Sequence, residues 1–129
     1  TLFLKNTPAK TFAIVDASMT ELIRPALYQA EHPILPVLIQ AELEEKVVDV
    51  VGPVCETADF LAKDRPLKVA AGELLAILDA GAYGAVMASC YNSRPRPAEV
   101  LVDGEQCHLI RSRDSLANLM ANERIPDIL

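Results

Sequence analysis

The sequence VVDVVGPVCETADFLAKDRPL, residues 47–67, contains the feature around which we expect the fold to be built. Its apolar start, residues 47–51, is typical of a buried strand, and Gly52 and Pro53 break that run. We therefore place Cys55 and Glu56 on a loop just beyond a strand end, where a rigid scaffold often holds catalytic side chains. Taken alone, Cys55 is either a functional thiol or a small buried hydrophobic residue, the usual role of a free cysteine.

Length and charge limit the classes of protein to be considered. The chain has 129 residues, which predicts a single domain over residues 1–129, and 51% of them are hydrophobic, enough for a core. Lys and Arg number 12 against 18 Asp and Glu, a net charge of -6. An acidic chain without a clustered basic face is a poor candidate for nucleic-acid binding.

Cysteine spacing and apolar run lengths indicate the compartment. Three cysteines are an odd number, and their spacing predicts neither a disulfide framework nor a metal site. A reducing, cytoplasmic setting is therefore expected. No apolar run is long enough to span a bilayer, so no membrane partner is expected. The sequence starts at Thr1, part-way into an apolar run, which suggests a piece of a longer protein.

The remaining patterns favour strands separated by turns and short helices. Asp103-Gly104 predicts a hairpin turn, Asp114 or Ser115 can cap a last helix, and residues 63–65 read as a solvated charged face. This arrangement predicts a mainly β barrel or sandwich. The predicted strands cover residues 11–15, 37–40, 47–54, 98–102 and 107–111, and residues 1–4 read as the tail of another. Residues 72–79 fit either a helix or a buried strand, and Gly72 and Gly81 at their ends favour the strand.

Two further groups of residues have the chemistry of a binding site. A helix that begins near Pro25 would place Arg24 and Tyr28 at positions i and i+4 on one face. A guanidinium and a phenol that point the same way suit a carboxylate, although on these residues alone an exposed Arg beside a half-buried Tyr is the more ordinary arrangement. Tyr83 lies between Gly81 and Gly84, which allows close backbone approach around a phenol.

Four long segments resemble the C-terminal part of diaminopimelate decarboxylase. They are VDASMTELIRPALYQA, VVGPVCETADFLAKDRPL, GELLAILDAGAYGAVMASCYNSRPRPAEVLVDG and LIRSRD, and they follow one another between about residues 11 and 114. The resemblance implies a fold-type III enzyme that depends on pyridoxal 5'-phosphate. Such enzymes pair a TIM barrel with a C-terminal β-barrel domain of the alanine racemase and ornithine decarboxylase type, and act as homodimers. They convert meso-2,6-diaminopimelate to L-lysine and carbon dioxide, the last step of lysine biosynthesis.

The same resemblance implies a role for five residues. Arg24 and Tyr28 match substrate-binding positions, with Arg24 on a carboxylate, and Tyr83 matches a position that touches both cofactor and substrate. Cys55 matches the proton donor, and Glu56 a substrate-binding carboxylate beside it. In the family, Cys55 and Glu56 reach into the partner subunit's active site, so that the dimer is required for activity.

The TIM barrel and its Schiff-base lysine match nothing in this sequence, so the chain alone is expected to be inactive. Three alternatives remain. The first is another enzyme of the group, such as an arginine, ornithine or carboxynorspermidine decarboxylase, although such substrates have no need of Arg24. The second is a non-catalytic homologue that regulates the enzyme by dimerising with it. The third is a β-barrel interaction module without enzyme ancestry.

Overall fold

The computed structural model describes residues 1–128 and divides them into two compact units. The first covers Thr1–Ala88 and the second begins at Ser89. That the chain is one domain remains a prediction. The elements in chain order are β1 (Phe3–Asn6), β2 (Thr11–Ile14), α1 (Arg24–Tyr28), β3 (Ile34–Pro36), β4 (Lys46–Val51), β5 (Phe60–Leu67), β6 (Leu75–Ile77), α2 (Gly81–Met87), a 3₁₀ turn (Tyr91–Ser93), β7 (Glu99–Asp103), β8 (Gln106–Arg111) and α3 (Leu116–Met120).

A four-stranded sheet forms the centre of the first unit. Its strand order is β1-β2-β4-β5, in which β2 and β4 run parallel and the other neighbours run antiparallel. The two central strands are rich in aliphatic residues and hold fully buried positions, Ala13, Val48 and Val50, each at most 1% exposed. Leu61 of β5 packs with them. This sheet positions the β4–β5 loop, which contains Cys55 and Glu56.

A β-bulge in the β4–β5 pair accommodates a charged cluster. The register shifts on either side of Val50, and the buried Asp49 accepts the backbone N–H of Asp64 at 2.7 Å. Lys10 bridges Asp49 and Asp64 at 2.9 and 3.0 Å. The pKa of Asp49 lies below its ordinary value: burial would raise it, but the Asp64 N–H and the Lys10 ammonium outweigh burial.

One of the predicted strands is absent from the structure, and one predicted surface face lies on a strand. Residues 37–40 are not a strand: β3 (Ile34–Pro36) precedes them, because the ladder with β6 ends at Pro36, and Ile39 is 92% exposed. Residues 63–65 lie in the middle of β5, with Lys63 and Asp64 exposed, as a solvated charged face requires, and Arg65 half-buried. Lys63 also stacks on Phe60 at 3.9 Å, and ion pairs engage Asp64 and Arg65. The strands at residues 11–15 and 72–79 are confirmed in shortened form as β2 and β6.

The second unit consists of the β7–β8 hairpin and a capped helix. The register pairs Asp103 with Gln106, so the connecting residues are Gly104 and Glu105, one position later than predicted. Gly104 has a φ of +58°, which glycine adopts at little cost. Ser115 caps α3 through a capping box with Asn118, which confirms one of the two predicted caps.

Strands outnumber helices, which confirms the mainly β fold. Within residues 1–128 the eight strands form one sheet of four and two sheets of two, and none of these sheets closes into a barrel. Every helix in this part of the chain is too short to cross a bilayer.

Candidate functional site

The Cys55–Glu56 pair lies on an exposed loop, as the sequence predicts. The central strand β4 ends at Val51, and Gly52 begins the connection to β5. Both Cys55 and Glu56 are exposed, whereas Val54 directly before them is buried. The thiol is therefore not a core residue, and the second interpretation of Cys55 is wrong. The loop presents a thiol and a carboxylate, side by side, to the surface.

A buried carboxylate holds this loop in place. Asp59 is 4% exposed, and its Oδ2 accepts the backbone N–H of Val54 at 2.6 Å. Its main chain adds two more bonds: the Gly52 N–H donates to the Asp59 carbonyl at 3.1 Å, and the Asp59 N–H donates to the Glu56 carbonyl at 3.0 Å. These backbone N–H groups find their hydrogen-bond acceptors within the loop rather than in a neighbouring strand.

Gly52 is required at the base of the loop for reasons of space. A Cβ placed there would lie 2.6 Å from Asp59 Oδ1 and 2.7 Å from its Cγ, closer than real Cβ contacts. The carboxylate therefore packs directly on the glycine backbone. The Gly-Pro pair that the sequence marks as a strand breaker also makes room for the acceptor that organises the loop.

The same carboxylate contacts the turn that leads into α1. Asp59 Oδ1 accepts the backbone N–H of Met19 at 2.7 Å. That turn is itself closed by Ser18, whose N–H donates to Glu21 Oε2 at 2.7 Å, while the Glu21 and Leu22 N–H groups donate to the Ser18 carbonyl. This is the Ser-x-x-Glu capping pattern, here one short turn before the helix.

α1 places Arg24 and Tyr28 one turn apart, as predicted. Pro25 lies in its first turn and is the buried residue of the helix, so the ring costs no hydrogen bond and anchors the helix to the sheet. Tyr28 is 62% exposed, and Arg24 is half-buried. Both side chains therefore reach the surface from a helix fixed at its base.

α2 brings Tyr83 to Arg24. The Arg24 guanidinium carbon lies 4.7 Å from the centroid of the Tyr83 ring, a cation–π contact. A Cβ at Gly84 would lie 3.6 Å from the Glu21 carbonyl, an ordinary van der Waals contact, which shows that α2 packs beside the turn before α1. Tyr83 itself is 56% exposed.

The five predicted residues thus lie on two groups of elements. Arg24, Tyr28 and Tyr83 lie on α1 and α2, with Arg24 and Tyr83 in direct contact. Cys55 and Glu56 lie on the β4–β5 loop. The Asp59 carboxylate connects the loop to the turn before α1. Sequence reasoning missed Asp59. The one local signal was the Ser-x-x-Glu capping pattern at Ser18–Glu21, which marks the turn that Asp59 contacts.

An open cavity of about 370 Å³ adjoins the loop. Glu56 and Thr57 line it from the loop side, and Lys5, Phe12 and Lys63 line it from the sheet. Its walls combine apolar surface with charges of both signs. Among the five predicted site residues, Glu56 alone contributes to this lining.

Comparison with known proteins identifies the family. Residues 2–81 match the family model described as pyridoxal-dependent decarboxylase, C-terminal sheet domain. Curated diaminopimelate decarboxylases from Vibrio cholerae and Pseudomonas aeruginosa are 54% and 55% identical over 123 residues, 95% of this chain. The solved diaminopimelate decarboxylase from M. jannaschii in co-complex with L-lysine superposes with a TM-score of 0.91 at 40% identity, over 97% of this chain.

The chain spans about 29% of the length of each of these relatives. The match lies in their C-terminal portion, as the description of the family model states. It covers both the Cys55–Glu56 loop and the α1 helix, and it reaches the start of α2 at Gly81. The chain therefore belongs to the pyridoxal-dependent decarboxylase family and corresponds to the C-terminal sheet domain of that family.

Proposed function

We propose that this chain forms one wall of the active site of a decarboxylase that converts meso-2,6-diaminopimelate to L-lysine and carbon dioxide. The similarity to curated diaminopimelate decarboxylases supports this reaction. The observation that carries the proposal is the exposed Cys55–Glu56 pair on a loop that a buried carboxylate holds in place. A structural loop has no need to present a thiol and an acid to the surface in a fixed position.

Substrate recognition follows from the charges of diaminopimelate. Its far end carries an ammonium and a carboxylate, whereas the far end of lysine or ornithine carries an amine alone. Arg24 binds that carboxylate, and the Tyr83 ring behind it restricts the guanidinium. Glu56 accepts the ammonium, and the Tyr28 phenol adds a hydrogen bond. A substrate without the second carboxylate leaves Arg24 unpaired and is rejected.

The chain's residues fit contact with pyridoxal 5'-phosphate at one point. Tyr83 presents a half-exposed phenol whose ring is held by Arg24, a fixed hydrogen-bond donor of the kind that orients a cofactor. When bound, the cofactor withdraws the electron pair left on the substrate's α-carbon. The cofactor-binding lysine belongs to the part of the enzyme that this chain does not span, since no lysine here matches its motif.

Cys55 supplies the proton that completes the reaction. Breaking the bond between the α-carbon and its carboxylate releases carbon dioxide and leaves the bonding electron pair on the α-carbon. The Cys55 Sγ–H gives its proton to that carbon, and the resulting thiolate regains a proton from water. The exposure of Cys55 allows this last exchange.

We further propose that the complete enzyme is a cytoplasmic homodimer in which Cys55 and Glu56 serve the partner's site. All three cysteines are free, which supports a reducing compartment. The test mixes two inactive variants, one with Cys55→Ala and one without the cofactor-binding lysine. A shared site restores about a quarter of wild-type activity, because half of the random dimers each hold one intact site. Mixing that restores nothing contradicts the shared site.

Turnover by the complete enzyme that contains this chain tests the main proposal. Lysine and carbon dioxide should form from meso-diaminopimelate, with ornithine and arginine turned over at least about 100-fold more slowly. In the variant Arg24→Ala the preference should shrink, because the group that requires the second carboxylate is gone. Faster turnover of ornithine or arginine would assign the chain to another decarboxylase of the group. Folded enzyme that turns over none of them would support a regulatory homologue instead.

A further inference from the structure

We propose that Asp59 is a positioning residue that sets the Cys55–Glu56 loop and the Arg24 helix with a single carboxylate. The expected effect of Asp59 on catalysis rests on the proposed function, whereas its hydrogen bonds to the loop and to the turn before α1 do not. The two oxygens serve different parts of the chain: Oδ2 takes the Val54 N–H next to Cys55, and Oδ1 takes the Met19 N–H, 40 positions away from Asp59. Asp59 itself is not expected to touch substrate.

The geometry leaves the carboxylate little freedom. At 4% exposure it is shielded from water, and the Gly52 backbone packs against its Oδ atoms. The bonds from these backbone N–H groups to the carboxyl oxygens, 2.6 and 2.7 Å, lie at the short end of the range for N–H···O bonds. A shift of the carboxylate therefore moves Val54 and Met19 together.

Each anchored residue lies close to a proposed reacting or binding group. Val54 directly precedes Cys55, and Met19 belongs to the turn, residues 18–22, that delivers Arg24 at the start of α1. That turn has its own internal bonds, so it transmits the position of Met19 to the helix as a unit. Within each chain, the position of the Cys55–Glu56 loop relative to the Arg24 helix is thus set through one buried side chain.

Asp49 provides a matched control on the same sheet. It is also buried, at 6% exposure, and also accepts a backbone N–H, that of Asp64 at 2.7 Å, but its other partner is Lys10. The variant Asp59→Asn keeps the volume but turns one oxygen into an N–H donor that faces a backbone donor. Asp49→Asn makes the same chemical change without contact with Val54 or Met19.

Hydrogen exchange followed amide by amide tests the link without reference to activity. In Asp59→Asn, the Val54 and Met19 amides should both exchange about tenfold faster, and in Asp49→Asn the Asp64 amide should do so instead. If Asp59→Asn speeds exchange at neither amide or at only one, the proposed link is wrong. If Asp59→Asn does not fold, the wild-type protein decides: both amides should exchange more slowly than that of the exposed Thr57, and equal rates overturn the proposal.

Kinetics of the complete enzyme separate positioning from general stability. Asp59→Asn should lower kcat about 100-fold, since a displacement of about 1 Å at a reacting group has that effect, and should raise KM as Arg24 shifts. Asp49→Asn should lower Tm without either change. If the Val54 and Met19 amides both exchange faster in Asp59→Asn while the complete enzyme does not act on diaminopimelate, that result would support the positioning of the loop by Asp59 and refute the proposed substrate. Unchanged kcat and KM in a folded Asp59→Asn enzyme would refute the positioning role.

Discussion

The β4–β5 loop and the β7–β8 hairpin reach order by opposite means. The loop, residues 52–59, has no regular secondary structure, yet a buried carboxylate and two backbone–backbone hydrogen bonds fix it. The hairpin is regular secondary structure, a ladder with one register shift between Glu99 and Val100 and a tight turn, but its apolar side chains on both faces are exposed. Those with more than half of their surface exposed are Val100, Leu101, Val102, Leu109 and Ile110.

The difference shows that regular secondary structure does not by itself hold a segment rigidly, and that a segment without it can be rigid. A two-stranded hairpin with no covered face is only marginally stable by its ladder. An irregular loop with a desolvated acceptor can be more rigid, because the loss of that acceptor leaves buried donors unsatisfied. The proposed catalytic groups lie in the irregular region, where a side chain sets their positions.

The largest expected effect comes from the thiols, since each region has one exposed cysteine. Cys55→Ala should lower kcat of the complete enzyme by about 100- to 10,000-fold, with little change in KM, because it removes the proton donor. Cys107→Ala, on the hairpin, is the matched control and should leave kcat unchanged. Steady-state assays with diaminopimelate measure both. An equal loss of kcat in the two variants would show that the loop thiol has no catalytic role that the hairpin thiol lacks.

The glycines of the two regions should respond differently to asparagine. Gly104 needs a positive φ, which Asn tolerates, so Gly104→Asn should change the free energy of unfolding by no more than about 0.5 kcal/mol. Gly52 needs space against Asp59, so Gly52→Asn should destabilise by about 1–3 kcal/mol. Urea denaturation compares them. A tolerated Gly52→Asn would show that the carboxylate is not packed as described.

Acid should destabilise the fold through one ion pair near each region, that of Asp49 on β4 and that of Asp114 after β8. The pKa of Asp49 is lowered as described above, and the Arg96 guanidinium, at 2.7 Å, lowers the pKa of Asp114 beside the hairpin. Each group therefore stabilises the fold above its ordinary pKa of 3.8, and that contribution is lost as the pH falls through the lowered value. Asp49→Asn should flatten the fall in Tm on acidification, and an unchanged acid profile would refute its role.

The smallest expected effect is that of an apolar hairpin residue. Leu109 is 64% exposed, so Leu109→Gln should change the free energy of unfolding of this chain by less than about 0.5 kcal/mol. Denaturation of the isolated chain measures this. A loss above about 1 kcal/mol would show that Leu109 is buried against other residues, so that the hairpin, like the loop, is held by tertiary contacts.

Local patterns predicted the elements whose causes are local. The hairpin, the Ser115 cap and the short helix begun by Pro25 follow from two to five neighbouring residues, and the structure confirms them. The exposed loop with Cys55 likewise follows from the Gly-Pro break. The roles of Cys55, Glu56, Arg24, Tyr28 and Tyr83 remain predictions, because they came from resemblance.

Interactions distant in sequence account for what was missed. The sequence indicates only a solvated charged face in the middle of β5, and the ladder with β4, whose residues lie earlier in the chain, makes it a strand. Asp59 looks like an ordinary loop acid, because one of its partners, Met19, lies 40 positions away. Residues 37–40 have a strand's composition, but the β6 partner ends before them.

A crystal structure of the complete enzyme with its product lysine bound tests the central claim most directly. The measurement is the distance from Cys55 Sγ to the α-carbon of that lysine. We expect Sγ to face the α-carbon directly or through one water, with Arg24, Glu56 and Tyr83 around the same pocket. A thiol that points away from the bound lysine, with neither subunit's Cys55 in its pocket, would contradict the account.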